Sequence, residues 1–556
     1  MVQSIFANEH FQDNSDDQYR SFRSNLPYLA VLIIVHPLLR AAYDYFWRAN
    51  SYIQVRQSPG SSRGLTHGLS VGAAADARLQ QRISFDFYFA IIFIIALHGF
   101  SALKIVLIIF TNYMLAKGLP KKYVPAATWI FNIAILFANE LARGYPYAKI
   151  AAFLSPFKYS RPDMNGFQEP NWGKWMDDHC GLIPRWEVLF NITTLRLISF
   201  NFDYYWSLNM RGGSPVEVLP LHLSHSWRLT NDIKKKQLDP SNLSERDRVA
   251  LPVKPDDYSF RNYFAYALYS PLYLAGPILT FNDYINQQRY KLPSITKERT
   301  LMYAIRFILV LLCMEVVLHF IYTVAIFKAK PDWAAYTPFQ LGMLGYFNLH
   351  VIWLKLLIPW RFFRLWALAD GVDPPENMVR CMSNNYSAAA FWRGWHRSYN
   401  RWVVRYIYVP LGGSAAGGVL GRVRALANFL AVFTFVALWH DISLRLLVWG
   451  WLISLFVLPE VLAGLAFPAK KWRDRPNAYR ALRGVGAVGN ILMMMVANLV
   501  GFAIGLDGLA GLVNGIFGSA SGLGFFAGAC ACLYVGAQVM FEVREEEKRQ
   551  GIRMKC

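Results

Sequence analysis

Two histidines and a file of arginines carry the chemistry this sequence can do. His396 lies in "FWRGWHRSYNRWVVRYIYVPLGG" (391–413), and His440 follows the apolar run "NFLAVFTFVALW" (428–439), 440 − 396 = 44 residues on. An imidazole with its ordinary pKa of about 6.5 can take a proton from a hydroxyl at neutral pH. Arg393, Arg397, Arg401 and Arg405 recur every four residues, so on one continuous helix they form a single basic stripe. Trp392, His396, Tyr399 and Val403 would line a second face, and Trp395, Trp402 and Tyr406 a third. An arginine at the centre of a bilayer costs about 2.5–3.5 kcal/mol, so four together need headgroups, water or anionic partners. Two readings of the stripe stand: contact with lipid phosphates, or a bound phosphorylated ligand such as coenzyme A, whose phosphates guanidinium can fork.

The elements that must position these residues are apolar runs. The chain has 556 residues, 54% of them hydrophobic, and a mean hydropathy of +0.23. Runs such as 27–48 and 446–467 reach the roughly 20 residues a spanning helix needs. Others lie near 84–99, 101–116, 123–141, 260–285, 301–328, 338–369, 424–440, 486–507 and 523–543. The expected fold is all-α: a polytopic integral membrane protein of about eleven transmembrane or re-entrant helices around a reaction channel. A polar tail (1–26) precedes a membrane domain (27–543), and a charged tail (544–556) follows it. The stretches 51–82 and 210–258 read as a flexible and a hydrophilic loop, and 186–209 as an interfacial or tilted helix. The first apolar run is expected to be kept as a signal anchor, because acids rather than a basic region precede it. The net charge, 57 − 36 = +21, gathers between apolar runs, as in "KGLPKK" (117–122). Membrane topology accounts for that pattern, so a nucleic-acid partner is not expected. The six cysteines show neither CxxC nor zinc spacing, so no metal site is expected.

The block at 391–413, with "FVALWHDISLRLLVWGW" after it, resembles the signature of the membrane-bound O-acyltransferases. The resemblance rests on an aromatic–Arg–x–Trp–His block, the turn at "RYIYVPLGG", and a second histidine in "WH". The stretches "TLRLISFNFDYYW" (194–206) and "SFRNYFAYALYSPLYLAGPILTFNDYINQ" (259–287) narrow it to the branch holding Hedgehog acyltransferase and the fungal glycerol-uptake proteins. It covers roughly 185–467, with 385–467 as the catalytic core. His396 favours the glycerol-uptake proteins, since Hedgehog acyltransferase has an acid at the matching position. The resemblance implies an acyl-coenzyme A donor and no covalently bound cofactor. It also implies a multi-pass protein of the endoplasmic-reticulum membrane, with the plasma membrane as a second location. The acceptor would be the sn-2 hydroxyl of a lyso-glycosylphosphatidylinositol anchor, which receives a long or very long acyl chain.

In that chemistry His440 is the expected general base, and His396 orients the acceptor or stabilises developing charge beside Asn400. Arg393 and Arg405, which match the family block, are the arginines expected to receive coenzyme A, with Trp392, Tyr406 and Trp439 lining the substrate site. The glycine-rich run 409–422 lacks a strand-to-helix setting and reads as a close-packed turn. Two rivals differ in class or acceptor: a proton-coupled glycerol carrier, and a protein acyltransferase like Hedgehog acyltransferase. Glu315 and His319, four apart on one apolar helix, are the groups a proton relay would use. A satisfied hydrogen bond between helices is the other reading of that pair.

Overall fold

The computed structural model describes residues 2–3, 11–56, 71–154, 172–208, 242–329, 331–413, 418–440 and 444–552. Apart from a two-residue pairing of Val2–Gln3 with Phe11–Gln12, its regular elements are helices, so the fold is all-α. Among the described residues nine helices are long and apolar enough to cross a membrane, and Leu426–His440 and Gly508–Phe517 are shorter apolar helices. The chain divides into two units.

One unit comprises Ala30–Leu301 and Phe363–Pro375. Its helices are α1 (Asp17–Arg56, from Ala30 on), α2 (Val71–His98), α3 (Ser101–Gly118), α4 (Val124–Leu141), α5 (Tyr147–Leu154), α6 (Trp172–Asp178) and α7 (Trp186–Ser207). Four short ones follow: α8 (Glu245–Ala250), α9 (Phe260–Ala267), α10 (Ser270–Tyr273) and α11 (Phe281–Arg289). Helix α7 is not interfacial: every residue from Thr193 to Asp203 is buried. Several of its polar side chains are matched there. Arg196 donates to the carbonyls of Ala267 (3.0 Å) and Leu272 (2.5 Å), and Asn201 to Asn112 (3.0 Å) and Thr128 (3.1 Å).

The run 260–285 is likewise not one span. Pro271 and Pro277 lack the N–H a continuous helix needs, and the segment breaks into α9, α10 and α11. Broken backbone is tolerated at membrane depth only when protein surrounds it. Here tyrosines bridge it to its surroundings, Tyr263 Oη donating to Ile109 O (3.2 Å) and Tyr284 Oη to Asp86 (2.6 Å), while Tyr266 Oη ties the segment to itself at Leu279 O (2.7 Å).

At the centre of this unit two arginines and two aspartates form a buried, charge-balanced box. Arg40 bonds both Asp86 and Asp370. Arg82 donates to the Asp370 carbonyl (2.7 Å) and pairs with its carboxylate (3.3 Å), and Tyr269 Oη adds a bond to Asp370. All four charged residues are buried. A buried charge is tolerated when paired, and removing one partner costs about 3–5 kcal/mol.

The other unit comprises Met1–Leu29, Met302–Phe362 and Glu376–Cys556. It contains most of α12 (Lys297–Phe320), α13 (Thr323–Ala329) and most of α14 (Pro338–Ala369). These are followed by α15 (Ala388–Gly394), α16 (Arg397–Val403), α17 (Gly418–His440), α18 (Leu444–Ala466), α19 (Pro476–Asn498), α20 (Gly505–Phe517) and α21 (Ala520–Arg549). The sequence "TPFQ" starts α14 with a reciprocal cap: Gln340 N–H donates to Thr337 Oγ1 (3.3 Å), and Thr337 N–H to Gln340 Oε1 (2.9 Å). Pro338 sits at the first helical position, where no N–H is needed.

Element ends correct the boundaries read from polarity. The polar N-terminal stretch contains the start of α1 at Asp17, and residues 51–56 and 71–82 are helical. The rest of the 51–82 loop, and most of the 210–258 loop, lie outside the described residues. The charged end of the chain is helical to Arg549, and it is held. Arg380 pairs bidentately with Glu547 (2.8 and 2.7 Å), and Arg544 donates to Asn384 O (2.8 Å). Charge along a helix marks a solvated or paired face as readily as a loose tail.

Asp370→Ala leaves two buried guanidiniums facing one carboxylate. The variant is expected to lose about 3–5 kcal/mol of stability, seen as a lower thermal-unfolding midpoint in detergent; an unchanged midpoint would contradict the box's role.

Candidate active site

The segment 391–405 is not one helix. Helix α15 ends at Gly394; Trp395 is extended (φ −84°, ψ 131°) and makes a lone antiparallel bridge with Met378. His396 then takes a left-handed conformation (φ 44°, ψ 50°) before α16 begins at Arg397. From Val404 to Tyr408 the chain winds as a π-helix. The single arginine stripe is therefore broken between Arg393 and Arg397, and Arg405 sits in the wider π turn. The three faces drawn on a continuous helix are broken with it. Gly394 offers no side chain to sustain the helix, and the bridge to Met378 supplies the alternative pairing.

A β-carbon at positive φ is costly and persists only where surroundings enforce it. Asn377, 1% exposed, does so. Its carbonyl accepts the Arg397 N–H (3.0 Å) and its Oδ1 the Ser398 N–H (3.1 Å). One turn on, Asn400 N–H donates to His396 O (3.0 Å). Asn400 thus meets His396 through backbone; among the described residues its side chain makes no hydrogen bond with the imidazole. Helix α15 is fixed from the other end. Ser387 caps it by accepting the Ala390 N–H (3.0 Å), while the Glu460 carboxylate of α18 bonds Ser387 Oγ and accepts the Ala389 N–H (3.1 Å). A carboxylate inside an apolar helix is here a cap at a helix N-terminus.

The corner brings the two histidines to one group of rings. His396 stacks on Trp360 (centroids 4.4 Å apart) and on Tyr399 (5.1 Å). Tyr399 stacks on Trp439 (4.5 Å), and His440 stands 4.8 Å from Trp439 and 6.4 Å from both Tyr399 and Trp449. His440 ends α17 and is exposed among these rings, while Trp439 beside it is buried. Trp392 packs against Trp449 (5.7 Å) and Phe433 (6.2 Å). Tyr406 is fully buried beside Trp402 (5.3 Å), a core position away from the histidines. Arg393 is exposed and donates to Ala389 O of its own helix (3.0 Å); Arg405 lies 5.4 Å from the Tyr406 ring.

The "PLGG" turn fixes α17 in register. Gly412 and Gly413 both have positive φ (102° and 53°), and a β-carbon on Gly412 would meet the Arg424 guanidinium at 2.4 Å. Arg424 (2.9 Å) and Asn428 (3.2 Å), both of α17, donate to Leu411 O. Asp441 and residues 414–417 lie outside the described residues.

Four contributors escaped the sequence reading: Trp360, Asn377, Trp449 and Glu460. "PWRFF" around Trp360 resembles any aromatic interface, and Asn377 stands in an irregular stretch with no periodicity. Only a positive φ at His396, which a sequence does not reveal, gives Asn377 its purpose.

The groups named for a proton relay are engaged in structure. Glu315 accepts from Tyr19 Oη (2.7 Å) and Gln12 Nε2 (2.7 Å) and pairs with Arg23 (3.0 Å). His319 Nδ1 bonds Glu315 O (2.7 Å) within the same helix. Among the described residues no three His, Cys, Asp or Glu side chains gather to hold a metal ion.

Two imidazoles from separate elements, set among aromatic rings in a helical membrane protein, are groups of the kind that could move a proton. The model of the MBOAT, membrane-bound O-acyltransferase family, matches residues 89–503, so the chain belongs to that family and is an O-acyltransferase acting on an acyl donor and an acceptor. It is 45% identical over 551 residues to the membrane-bound O-acyltransferase GUP1 of Candida tropicalis, covering 98% of this chain and 81% of that protein. To GUP1 of Saccharomyces cerevisiae it is 43% identical over 548 residues, covering 98% and 84%. It is also similar, at 28% identity over 254 residues, to the mouse protein-cysteine N-palmitoyltransferase HHAT, with 44% of this chain and 50% of that one covered.

Asn377→Ala removes the acceptor of a buried N–H at the His396 corner, at an expected cost of about 1–3 kcal/mol. Asn377→Asp keeps an acceptor oxygen there and should unfold at a higher temperature than the alanine variant. Equal midpoints for alanine and wild type would show that the corner does not need Asn377.

Proposed function

We propose that the enzyme transfers a long or very long acyl chain from acyl-coenzyme A to the sn-2 hydroxyl of a lyso-glycosylphosphatidylinositol anchor, in the endoplasmic-reticulum membrane. The observation that carries this reading is the gathering of His396 and His440, 44 residues apart in sequence, around the Tyr399 ring. His440, the accessible imidazole at a helix end, takes the proton of the acceptor hydroxyl as it attacks the thioester carbonyl. His396, held by its corner and by Trp360, orients the acceptor. Exposed Arg393 serves the coenzyme A phosphates, and Arg405 contributes charge from the π turn. Transfer to a hydroxyl is supported by the similarity to the fungal O-acyltransferases over nearly the whole chain, and the anchor lipid as acceptor follows from the resemblance to the glycerol-uptake branch; acylation of a protein N-terminus draws only on the partial similarity to HHAT. A carrier reading loses its relay, since Glu315 is held by Tyr19, Gln12 and Arg23.

The test is lipid mass spectrometry of anchors from cells lacking the protein, complemented with wild type or His440→Ala. Wild type should restore long-chain diacyl anchors, whereas His440→Ala at equal expression should leave lyso-anchors, with restoration reduced at least about 100-fold. Equal restoration by both would remove His440 from the mechanism. Failure by wild type would remove the anchor lipid as acceptor.

A further inference from the structure

The reaction at His440 puts negative charge on a carbonyl oxygen, and two side chains beside it have unused donors. Tyr399 is 5% exposed and Trp449 2%. The Tyr399 hydroxyl and the Trp449 Nε1 are both buried and have no hydrogen-bond partner among the described residues. Their rings flank His440 at the same distance, 6.4 Å. Each ring is fixed by packing. Tyr399 lies against Trp439 at 4.5 Å and His396 at 5.1 Å. Trp449 lies against Phe502 at 4.8 Å and over Gly501, where a β-carbon would meet its Cδ1 at 2.4 Å. Trp392 Nε1, also without a partner among the described residues, stands one ring further out, 5.7 Å from Trp449.

A buried donor left unpaired carries its full desolvation penalty. Such groups in a reaction site mark where a ligand atom completes the bonding. Donors already fixed in a water-poor site are also what stabilises an oxyanion most effectively, because no reorganisation accompanies the reaction. We propose that the Tyr399 hydroxyl and the Trp449 indole N–H are the hydrogen-bond donors for the acyl carbonyl oxygen of a thioester donor. The assignment rests on the acyl-transfer reading above and adds to it the groups that receive the charge.

In the step, the acceptor O–H proton passes to His440 and the acceptor oxygen bonds to the thioester carbon. The carbonyl π electrons move onto oxygen, where Tyr399 and Trp449 hold them. Collapse of this intermediate re-forms the C=O, breaks the C–S bond, and the departing sulfur takes the proton from His440. An ester and a free thiol leave, and no oxidant or further reactant is used.

The test uses purified full-length protein in detergent, with palmitoyl-coenzyme A and lysophosphatidylinositol as probes. Tyr399→Phe keeps the ring and deletes only the donor, whereas Trp449→Phe deletes the donor together with part of the indole. Each is expected to lower kcat about 10²-fold, with KM for palmitoyl-coenzyme A little changed. A merely structural role predicts something else: deleting an unpaired buried hydroxyl leaves stability unchanged or higher and leaves turnover intact. Binding of S-hexadecyl-coenzyme A, a thioether without the carbonyl, should be the same in wild type and both variants. Full kcat in Tyr399→Phe, or a loss of thioether binding as large as the loss of turnover, would overturn the assignment. If Trp449→Phe does not fold, Tyr399→Phe decides alone. A wild type that binds the thioether yet acylates no lysolipid would overturn the donor and acceptor reading beneath it.

Discussion

His396, one of three described residues with a β-carbon at positive φ, sits at φ 44°, and the candidate site depends on that corner. Continued as a helix from α15, the chain would carry His396 and Tyr399 onto the faces that 3.6-residue winding dictates. The corner instead stacks His396 on Trp360 and Tyr399 and turns Tyr399 toward Trp439 of α17. The strain is held by Asn377, by the Met378–Trp395 bridge and by the cap that Ser387 and Glu460 give α15. Strained backbone at a reaction site, stabilised by unstrained pairing around it, is the pattern expected of a preorganised centre.

Charge in this protein is handled by pairing rather than by exclusion. Arg40, Arg82, Asp86 and Asp370 neutralise one another inside one unit. In the other unit, Glu315 meets Arg23, and Arg380 meets Glu547. An ionisable group in an apolar helix is a functional hypothesis by default, and here the partners of each such group decide its role. Groups with full partner sets stabilise the fold. Buried polar atoms without partners among the described residues occur in both units, and three of them, in Tyr399, Trp449 and Trp392, lie in the ring group near His440.

What the sequence made legible follows from how each feature is encoded. Apolar runs gave the helices closely: 338–369 is α14 itself, and 101–116 lies within α3. The motif at 391–413 and the histidine at 440 pointed to the family, and the structure brings the two imidazoles to one group of rings. Windowed polarity failed where polar residues are buried in pairs, as along α7, and where prolines break an apolar run, as at 260–285. It failed again at the end of α21, where charge pairs with a loop instead of facing only water. The arginine stripe failed for a different reason. Its spacing was right, but the helix it assumed is interrupted by a local preference of Gly394 and a long-range bond to Asn377 that no window contains.

The most direct measurement is a cryo-electron-microscopy structure of the protein in lipid nanodiscs with S-hexadecyl-coenzyme A. The account requires the sulfur of the bound donor beside His440, within the ring group formed by Tyr399, Trp439 and Trp449, with the alkyl chain running from it between apolar helices. Donor density that ends elsewhere, leaving His440 without contact to the sulfur end, would contradict the claim that these two histidines mark the acyl-transfer site.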